Sequence, residues 1–176
     1  MELYGERGYE QTTVAAIAER AGLTERTFFR HFADKREVLF AGGDALQEAL
    51  LSAVDKAPDS LAALDAAAAG IEAIAVLLPD RAVAQHRQAI IDANPELRER
   101  ELIKMASLSN ALATALHNRG LTEPSASLTA EIAIAAFKNA FERWVDKTNQ
   151  LGLQELIQQA FVAVKALSAE AQPASR

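Results

Sequence analysis

The chain has 176 residues, of which 50% are hydrophobic, and a formal net charge of −6 at pH 7, so it buries a core of its own without metal support. It contains no cysteine, which excludes disulfides, thiolate zinc sites and cysteine nucleophiles. With no apolar run near the roughly 18 residues of a membrane span and no signal-peptide pattern, it is predicted to be a soluble cytoplasmic protein.

Three short helices are predicted at the N-terminus. Residues 1–7 have the composition of a helix end that stops at Gly8. Thr13 is placed to cap a second helix that runs to Arg20, and Thr24 to cap a third, with a glycine-containing turn between them.

Longer helices are predicted over the rest of the chain, because Ala and Leu dominate and apolar residues recur at three- and four-residue spacing. The first of them covers residues 35–56, and the Gly42-Gly43 pair predicts a bend within it. The others cover residues 59–78, 80–93, 95–118, 124–148 and 152–168. The fold class is therefore all-α, with an N-terminal unit (1–40), a helical body (41–168) and a frayed tail (169–176).

The second and third short helices have the pattern of a helix-turn-helix motif. Phe28 and Phe32 lie on one side of the third helix and are placed to pack on Ile17, while Arg26 and Arg30 share the opposite side. An exposed basic face of this kind fits a recognition helix in the major groove. An ordinary helical hairpin with a solvated polar face has the same pattern.

The charge distribution bears on this choice. The net negative charge of the chain argues against a nucleic-acid partner, because binding to phosphate requires positive surface. From Leu23 to Arg36, however, four basic residues stand against two acidic ones, whereas from Ala41 onward 12 Lys or Arg face 17 Asp or Glu. A basic segment on an acidic body is compatible with a protein that reads nucleic acid through one face.

Four stretches of sequence narrow the interpretation further. They read GYEQTTVAAIA from Gly8, AGLT from Ala21, TFFRHF from Thr27 and KREVL from Lys35. Together they closely resemble the N-terminal domain of TetR/AcrR-family transcriptional regulators. The resemblance also implies that further residues normally precede Met1, so the first helix is expected to be cut short.

The same resemblance implies contacts to the DNA backbone. Thr13 would offer its hydroxyl and backbone N–H to a phosphate, as a helix N-terminus does. Lys35 would clamp a phosphate at the start of the next helix. Thr27 and His31 would approach the backbone or the base edges.

Three further residues, Glu25, Arg26 and Arg30, would face the bases by this resemblance. Either arginine could bond a guanine edge in bidentate fashion. Phe29 departs from the family pattern, since tyrosine is usual there. Its ring could touch a thymine methyl or a sugar but cannot donate a hydrogen bond to phosphate, so we expect a weaker phosphate clamp.

The helical body shows no pattern of a reaction centre. The three histidines, His31, His86 and His117, do not have metal-ligand spacing, and no serine lies in a glycine elbow. We therefore expect no enzyme activity, no cofactor and no metal. An enzyme would need a pocket with paired titratable groups.

In the resembled family the body binds a small molecule and forms a homodimer through its last two long helices. Segment 124–148 is apolar on two sides, which predicts burial by two neighbours. With segment 152–168 it would supply half of a four-helix dimer interface. The alternative is that both apolar stripes serve the core of one monomer.

Pocket residues are predicted among apolar side chains of the body, with His86, Arg87 and Asn139 as convergent polar groups. Each could equally be plain core or plain surface. The candidates are Ile74, His86, Ile90, Met105, Leu108, Leu112, Phe137 and Phe141. The stretch ANPELR from Ala93 and the later Trp144 are similar to the C-terminal domain of the mycofactocin-regulator subgroup, which implies an acyl-CoA-like ligand.

The function predicted from these features is a homodimeric repressor that binds an inverted repeat and is released by a hydrophobic small molecule. The helix predicted over 35–56 would be the lever between the two units. An activator, or a regulator that needs a co-repressor, has the same sequence features. A helical ligand-binding protein whose motif does not bind DNA is the alternative from another class.

Overall fold

The computed structural model describes residues 1–78 and 80–170, and every regular element in this part of the chain is helical, which confirms the all-α prediction. No helix among these residues is long and apolar enough to cross a bilayer. The helices are α1 (Glu2–Arg7), α2 (Val14–Arg20), α3 (Glu25–His31), α4 (Gly43–Lys56), α5 (Ala63–Leu77), α6 (Arg81–Ala93), α7 (Pro95–Asn118), α8 (Glu123–Val145) and α9 (Leu153–Glu170). The predicted tail begins within the last turn of α9, and its residues 171–176 lie outside the described part.

The three short N-terminal helices begin and end where their caps predict. The hydroxyl oxygen of Thr13 accepts the N–H of Ala16 at 3.2 Å, and that of Thr24 accepts the N–H of Thr27 at 3.2 Å. Each bond satisfies a backbone donor that a helix N-terminus leaves without a partner. Gly8 follows α1 with φ of 80°. The predicted boundaries of these helices are therefore confirmed.

The long helix predicted over 35–56 is wrong. The chain forms a short 3-10 helix over Lys35–Phe40 and then breaks before α4 begins at Gly43. Gly42 has φ of 86°, in the left-handed region that favours glycine because it has no Cβ. A segment that contains this turn cannot act as one rigid lever.

The large core is formed by the six helices α4 to α9. Its side chains with no exposed surface include Leu50 of α4, Ile71 of α5, Leu112 of α7, Ala140 of α8 and Leu156 of α9. The guanidinium of Arg119, after α7, donates to the backbone oxygens of Val54, Ala57 and Pro58 at 2.8–2.9 Å and so fixes the end of α4. These helices form one bundle that buries the apolar sides of its members.

Helix α8 is apolar on two sides because it is packed on several sides within one chain. It contacts α5, α6, α7 and α9. Phe137, Ala140 and Trp144 are each at most 8% exposed and belong to the large core. Both stripes therefore contribute to the core of one chain, and the dimer interface predicted on segments 124–148 and 152–168 stays a prediction.

A second, smaller core crosses the predicted boundary at residue 40. Tyr4, Tyr9, Leu39 and Phe40 from the N-terminal unit are buried in one cluster with three residues of α6 and α7, which are Ile90, Ile91 and Leu97. The helix-turn-helix unit is thus seated on the corner between α6 and α7, although the chain links it directly to α4.

An ion-pair cluster borders this second core. The carboxylate of Glu37, on the 3-10 helix, lies 2.6 Å from Nε of Arg100 and 3.2 Å from Nζ of Lys104, both on α7. Its side chain is 18% exposed. The hydrogen bond from Arg100 and the neighbouring Lys104 hold the pKa of Glu37 below its ordinary value of 4.5, although burial opposes them.

We expect this contact to make the stability of the protein sensitive to acid. A carboxyl group whose pKa is lowered on folding stabilises the fold above its ordinary pKa, and that contribution is lost as the pH falls from about 4.5 through the lowered value. Glu37→Gln should reduce the free energy of unfolding by about 1 kcal/mol at pH 7. The variant and the wild type should converge towards pH 3 in chemical denaturation. Glu99→Gln, at an exposed position of α7, is the control, and a constant difference at all pH values would contradict the expectation.

Candidate nucleic-acid interface

Helix α3 is anchored by its aromatic side. Phe28 is 3% exposed, and its ring centroid lies 5.2 Å from that of Phe32. Gly22 makes the turn between α2 and α3 with φ of 68°, where a side chain would be strained. This packing leaves Glu25, Arg26 and Arg30 exposed on the outer side of α3.

The basic residues around α3 differ in whether they are already paired. Arg20 contacts Glu6 at 2.9 Å and Glu2 at 3.2 Å. Arg36 contacts Asp34 at 2.5 Å. Among residues 1–78 and 80–170, no carboxylate forms an ion pair with Arg26 or Arg30 of α3. The positive charge of these two side chains is therefore available to an anionic partner.

Lys35, which is predicted to bind a phosphate, already has several partners within the protein. Its Nζ donates to the backbone oxygens of Tyr9 at 2.9 Å and Glu10 at 3.3 Å, and it lies 4.2 Å from the centroid of the Tyr9 ring. The hydroxyl of Tyr4 donates to the backbone oxygen of Lys35 at 2.5 Å. An ammonium group has three donors, so one remains for a phosphate oxygen.

The other residues predicted to contact the DNA backbone are helix caps or lie close to one in sequence. Thr13 is exposed at the start of α2 while its oxygen caps that helix. Thr27 is half-buried, 3.0 Å from the hydroxyl of Thr24. His31 is exposed, with Nε2 lying 3.3 Å from a guanidinium nitrogen of Arg30.

Two apolar side chains are exposed next to these polar ones. Phe29 is 55% exposed and meets Phe28 edge-on at a centroid distance of 5.5 Å. Leu23, in the turn, is 47% exposed. The sequence singled out Phe29 but not Leu23, whose position in an apolar turn gives no sign of its exposure. Both offer apolar surface to a sugar or a thymine methyl.

Comparison with known proteins identifies this N-terminal unit. Residues 1–41 match the family model described as "Bacterial regulatory proteins, tetR family". They form a tetR-family N-terminal domain. The chain is also similar to the HTH-type transcriptional regulator TcmR of Streptomyces glaucescens, with 48% identity over 58 residues. That similarity covers 33% of this chain and 26% of TcmR, so it spans about a quarter of the relative.

Outside the tetR-family domain, the predicted pocket residues are split between three places. Ile74, Leu108, Leu112 and Phe137 are buried in the large core, and Met105 and Phe141 are partly buried against it. Ile90 belongs to the second core instead. The ring of His86 lies against Gly5 of α1, so close that a Cβ added there would be 2.6 Å from Cε1 of the ring.

An open groove runs between α7 and α8. Its volume is about 420 Å³, and two predicted pocket residues, Met105 and Asn139, line it. Its walls combine apolar side chains such as Leu102 and Ile134 with the charged Lys138 and Glu142. In the part of the chain that the structure describes, no three His, Asp or Glu side chains are grouped so that they could hold a metal ion.

Proposed function

We propose that this protein is a sequence-specific DNA-binding transcriptional regulator that inserts α3 into the major groove. The observation that carries the proposal is the outer side of α3, where Arg26 and Arg30 are exposed and form no ion pair with a carboxylate of the described residues, while Phe28 anchors the inner side. Arginine is the side chain that bonds guanine edges in bidentate geometry. The match of residues 1–41 to the tetR family supports the same function.

The proposed contacts follow from the position of each side chain. Arg26 and Arg30 read base edges together with Glu25, which accepts from a cytosine amino group. Phe29 adds apolar contact with a thymine methyl or a sugar. The residues proposed to hold the phosphate backbone are Thr13, Thr27, His31 and Lys35.

Selection from a random double-stranded DNA library with the full chain tests this proposal. We expect one recovered motif whose affinity exceeds that for scrambled DNA by about 10³-fold or more at a stated salt concentration. Recovery of no motif, with all duplexes bound equally, would show that the protein is not a sequence-specific regulator.

We further propose that the protein acts as a homodimer on an inverted repeat. Leu128 of α8 and Val162 and Leu167 of α9 are 63–68% exposed, so these adjacent helices present apolar side chains outside the core. An interface around a two-fold axis uses the same patch on both copies and would direct two recognition helices towards the two half-sites of an inverted repeat.

Charge placed on this surface should separate the copies. We expect wild type to sediment at about twice the 18.9 kDa monomer mass. Val162→Glu with Leu167→Glu should sediment as a monomer, because a buried unpaired carboxylate opposes association. Val76→Glu, at a 69% exposed position of α5, is the control and should remain dimeric. A wild type that is monomeric at all concentrations would contradict the proposal.

The proposed regulator is a repressor that a hydrophobic, acyl-CoA-like small molecule releases from DNA. The helical body provides the apolar side chains, with Met105 at the open groove and Ile74, Leu108, Leu112, Phe137 and Phe141 in the core beside it. A ligand acts by preferring one arrangement of the helices over another. Native mass spectrometry of the purified protein, followed by DNA binding with palmitoyl-CoA added, tests this. Increased affinity would instead indicate a co-repressor.

A further inference from the structure

We propose that Arg87 of α6 is a positioning residue that fixes the orientation of the helix-turn-helix unit on the body, and that α6 and α7, not α4, set the direction in which α3 points. This inference rests on the proposed DNA-binding function and goes beyond it, because it assigns the mechanical connection between the two units to named side chains.

Arg87 contacts the N-terminal unit through two interactions and α7 through a third. Its Nε donates to the backbone oxygen of Leu39 at 2.7 Å, across 48 residues of sequence. Its guanidinium carbon lies 5.0 Å from the centroid of the Phe40 ring. Its Nη1 lies 3.2 Å from the carboxylate of Glu101 on α7, which holds the guanidinium in place. The side chain is 24% exposed.

The acceptor of this bond lies next to the break in the chain before α4. Leu39 is in the last turn of the 3-10 helix, whose terminal carbonyls have no partner within the helix. Ala41 and Gly42 follow at once, and the left-handed Gly42 breaks the chain direction before α4. Arg87 therefore holds the end of the N-terminal unit next to its hinge.

Two further contacts complete a three-point attachment. Glu37 pairs with Arg100 and Lys104 of α7. The ring of His86, next to Arg87 on α6, lies against Gly5 of α1. Contacts at α1 and at two points of the 3-10 helix, around the buried second core, oppose rotation about any axis. A single hinge at Gly42 could not do so.

A distance measurement tests the attachment without DNA. The chain contains no cysteine, so Glu19→Cys on α2 with Gln158→Cys on α9, both at exposed positions, places one spin label on each unit. Labelled protein is diluted with unlabelled wild type to suppress distances between copies. We expect a narrow distribution of distances between the two labels in the otherwise wild-type protein. Arg87→Met should broaden it. Arg87→Lys, which retains the charge, should broaden it less.

Arg81→Met is the matched control. Arg81 is also on α6, and its guanidinium donates to the backbone oxygens of Asn149 and Leu151, but both ends of these bonds lie in the body. We expect this variant to lower the melting temperature without broadening the distance distribution. It therefore separates the loss of a half-buried, hydrogen-bonded arginine from the loss of the attachment.

The affinity for DNA gives the second readout. It is measured with the selected duplex and with two altered duplexes, in which the half-sites lie one base pair closer together or further apart. Loss of a charge-assisted hydrogen bond should weaken binding to the best spacing by about 10- to 100-fold. Binding to the altered spacings should change much less, so the preference for one spacing decreases. A variant that is merely partly unfolded would lose the same factor at every spacing.

The outcomes distinguish this inference from the proposed function. A distribution that stays equally narrow in Arg87→Met, or equal losses at all spacings, would overturn the role of Arg87. Broadening by Arg87→Met in a wild type that selects no DNA motif would support the attachment and refute the regulator. Equal broadening by Arg81→Met would also overturn the role of Arg87, because the effect would then not be specific to the attachment.

Discussion

Replacement of Arg26 and Arg30 together by alanine is expected to abolish sequence-specific DNA binding while the fold remains intact. Both side chains are exposed on α3, and neither forms an ion pair with a carboxylate in the described residues, so their removal leaves no buried partner behind. Each bidentate contact to a guanine contributes about 1–3 kcal/mol of discrimination. The double variant should therefore lose at least about 30-fold in affinity for its selected motif.

The control must change the net charge equally elsewhere. Arg98→Ala with Lys147→Ala removes two exposed positive charges from the body. Fluorescence anisotropy with selected and scrambled duplexes at two salt concentrations separates the effects. Both double variants should bind scrambled DNA slightly less well, but only the change in α3 should remove the preference for the motif. Equal losses in the two would contradict the assignment of α3 as the reading helix.

The two neighbouring phenylalanines of α3 should respond in opposite ways to the same substitution. Phe28 is 3% exposed and Phe29 is 55% exposed. Phe28→Ala removes a buried ring and should destabilise the helix-turn-helix unit by about 3–5 kcal/mol. Phe29→Ala removes a ring that is mostly in solvent, so it should leave the free energy of unfolding nearly unchanged and weaken DNA binding instead.

Amide hydrogen exchange measures the first effect where it arises. Protection of α2 and α3 should fall in Phe28→Ala, while protection of α8, at the centre of the large core, should persist. Phe29→Ala should show the wild-type exchange pattern with reduced DNA affinity. If Phe29→Ala unfolded α3, the ring would be part of the packing and its role at the interface would have to be withdrawn.

Short-range signals predicted the local structure well. The caps at Thr13 and Thr24 act within three residues, and Gly8 ends α1 through its own backbone angle. Such effects are written in adjacent residues and can be read without knowledge of the rest of the fold. The aromatic spacing of Phe28 and Phe32 likewise predicted which side of α3 is buried.

Packing between distant segments could not be read in this way. Periodicity shows that α8 is apolar on two sides, but not whether the neighbours belong to the same chain, and the same-chain arrangement is the one observed. The break at Gly42 competes with the good helix formers around it. At this break Leu39 and Phe40 are buried in the second core, and no local sequence pattern predicts that burial.

Charged residues show the same limit. The sequence predicts Arg87 as a polar group of a ligand pocket, yet its partners are Leu39 and Glu101, 48 and 14 residues away in sequence. An arginine offers the same hydrogen-bond donors and the same charge whether it lines a pocket or lies between two units. Its three-dimensional neighbours alone decide between the two.

The core shared across the boundary at residue 40 also limits how this protein can be recombined with others. Residues 1–41 that are moved onto another helical body would carry the buried faces of Tyr4, Tyr9 and Phe40 without Ile90, Ile91 and Leu97 to cover them. Such a chimaera would expose an apolar surface prone to aggregation. A transplant that exchanges DNA specificity should therefore replace only the outward residues of α3, or carry the corner of α6 and α7 with it.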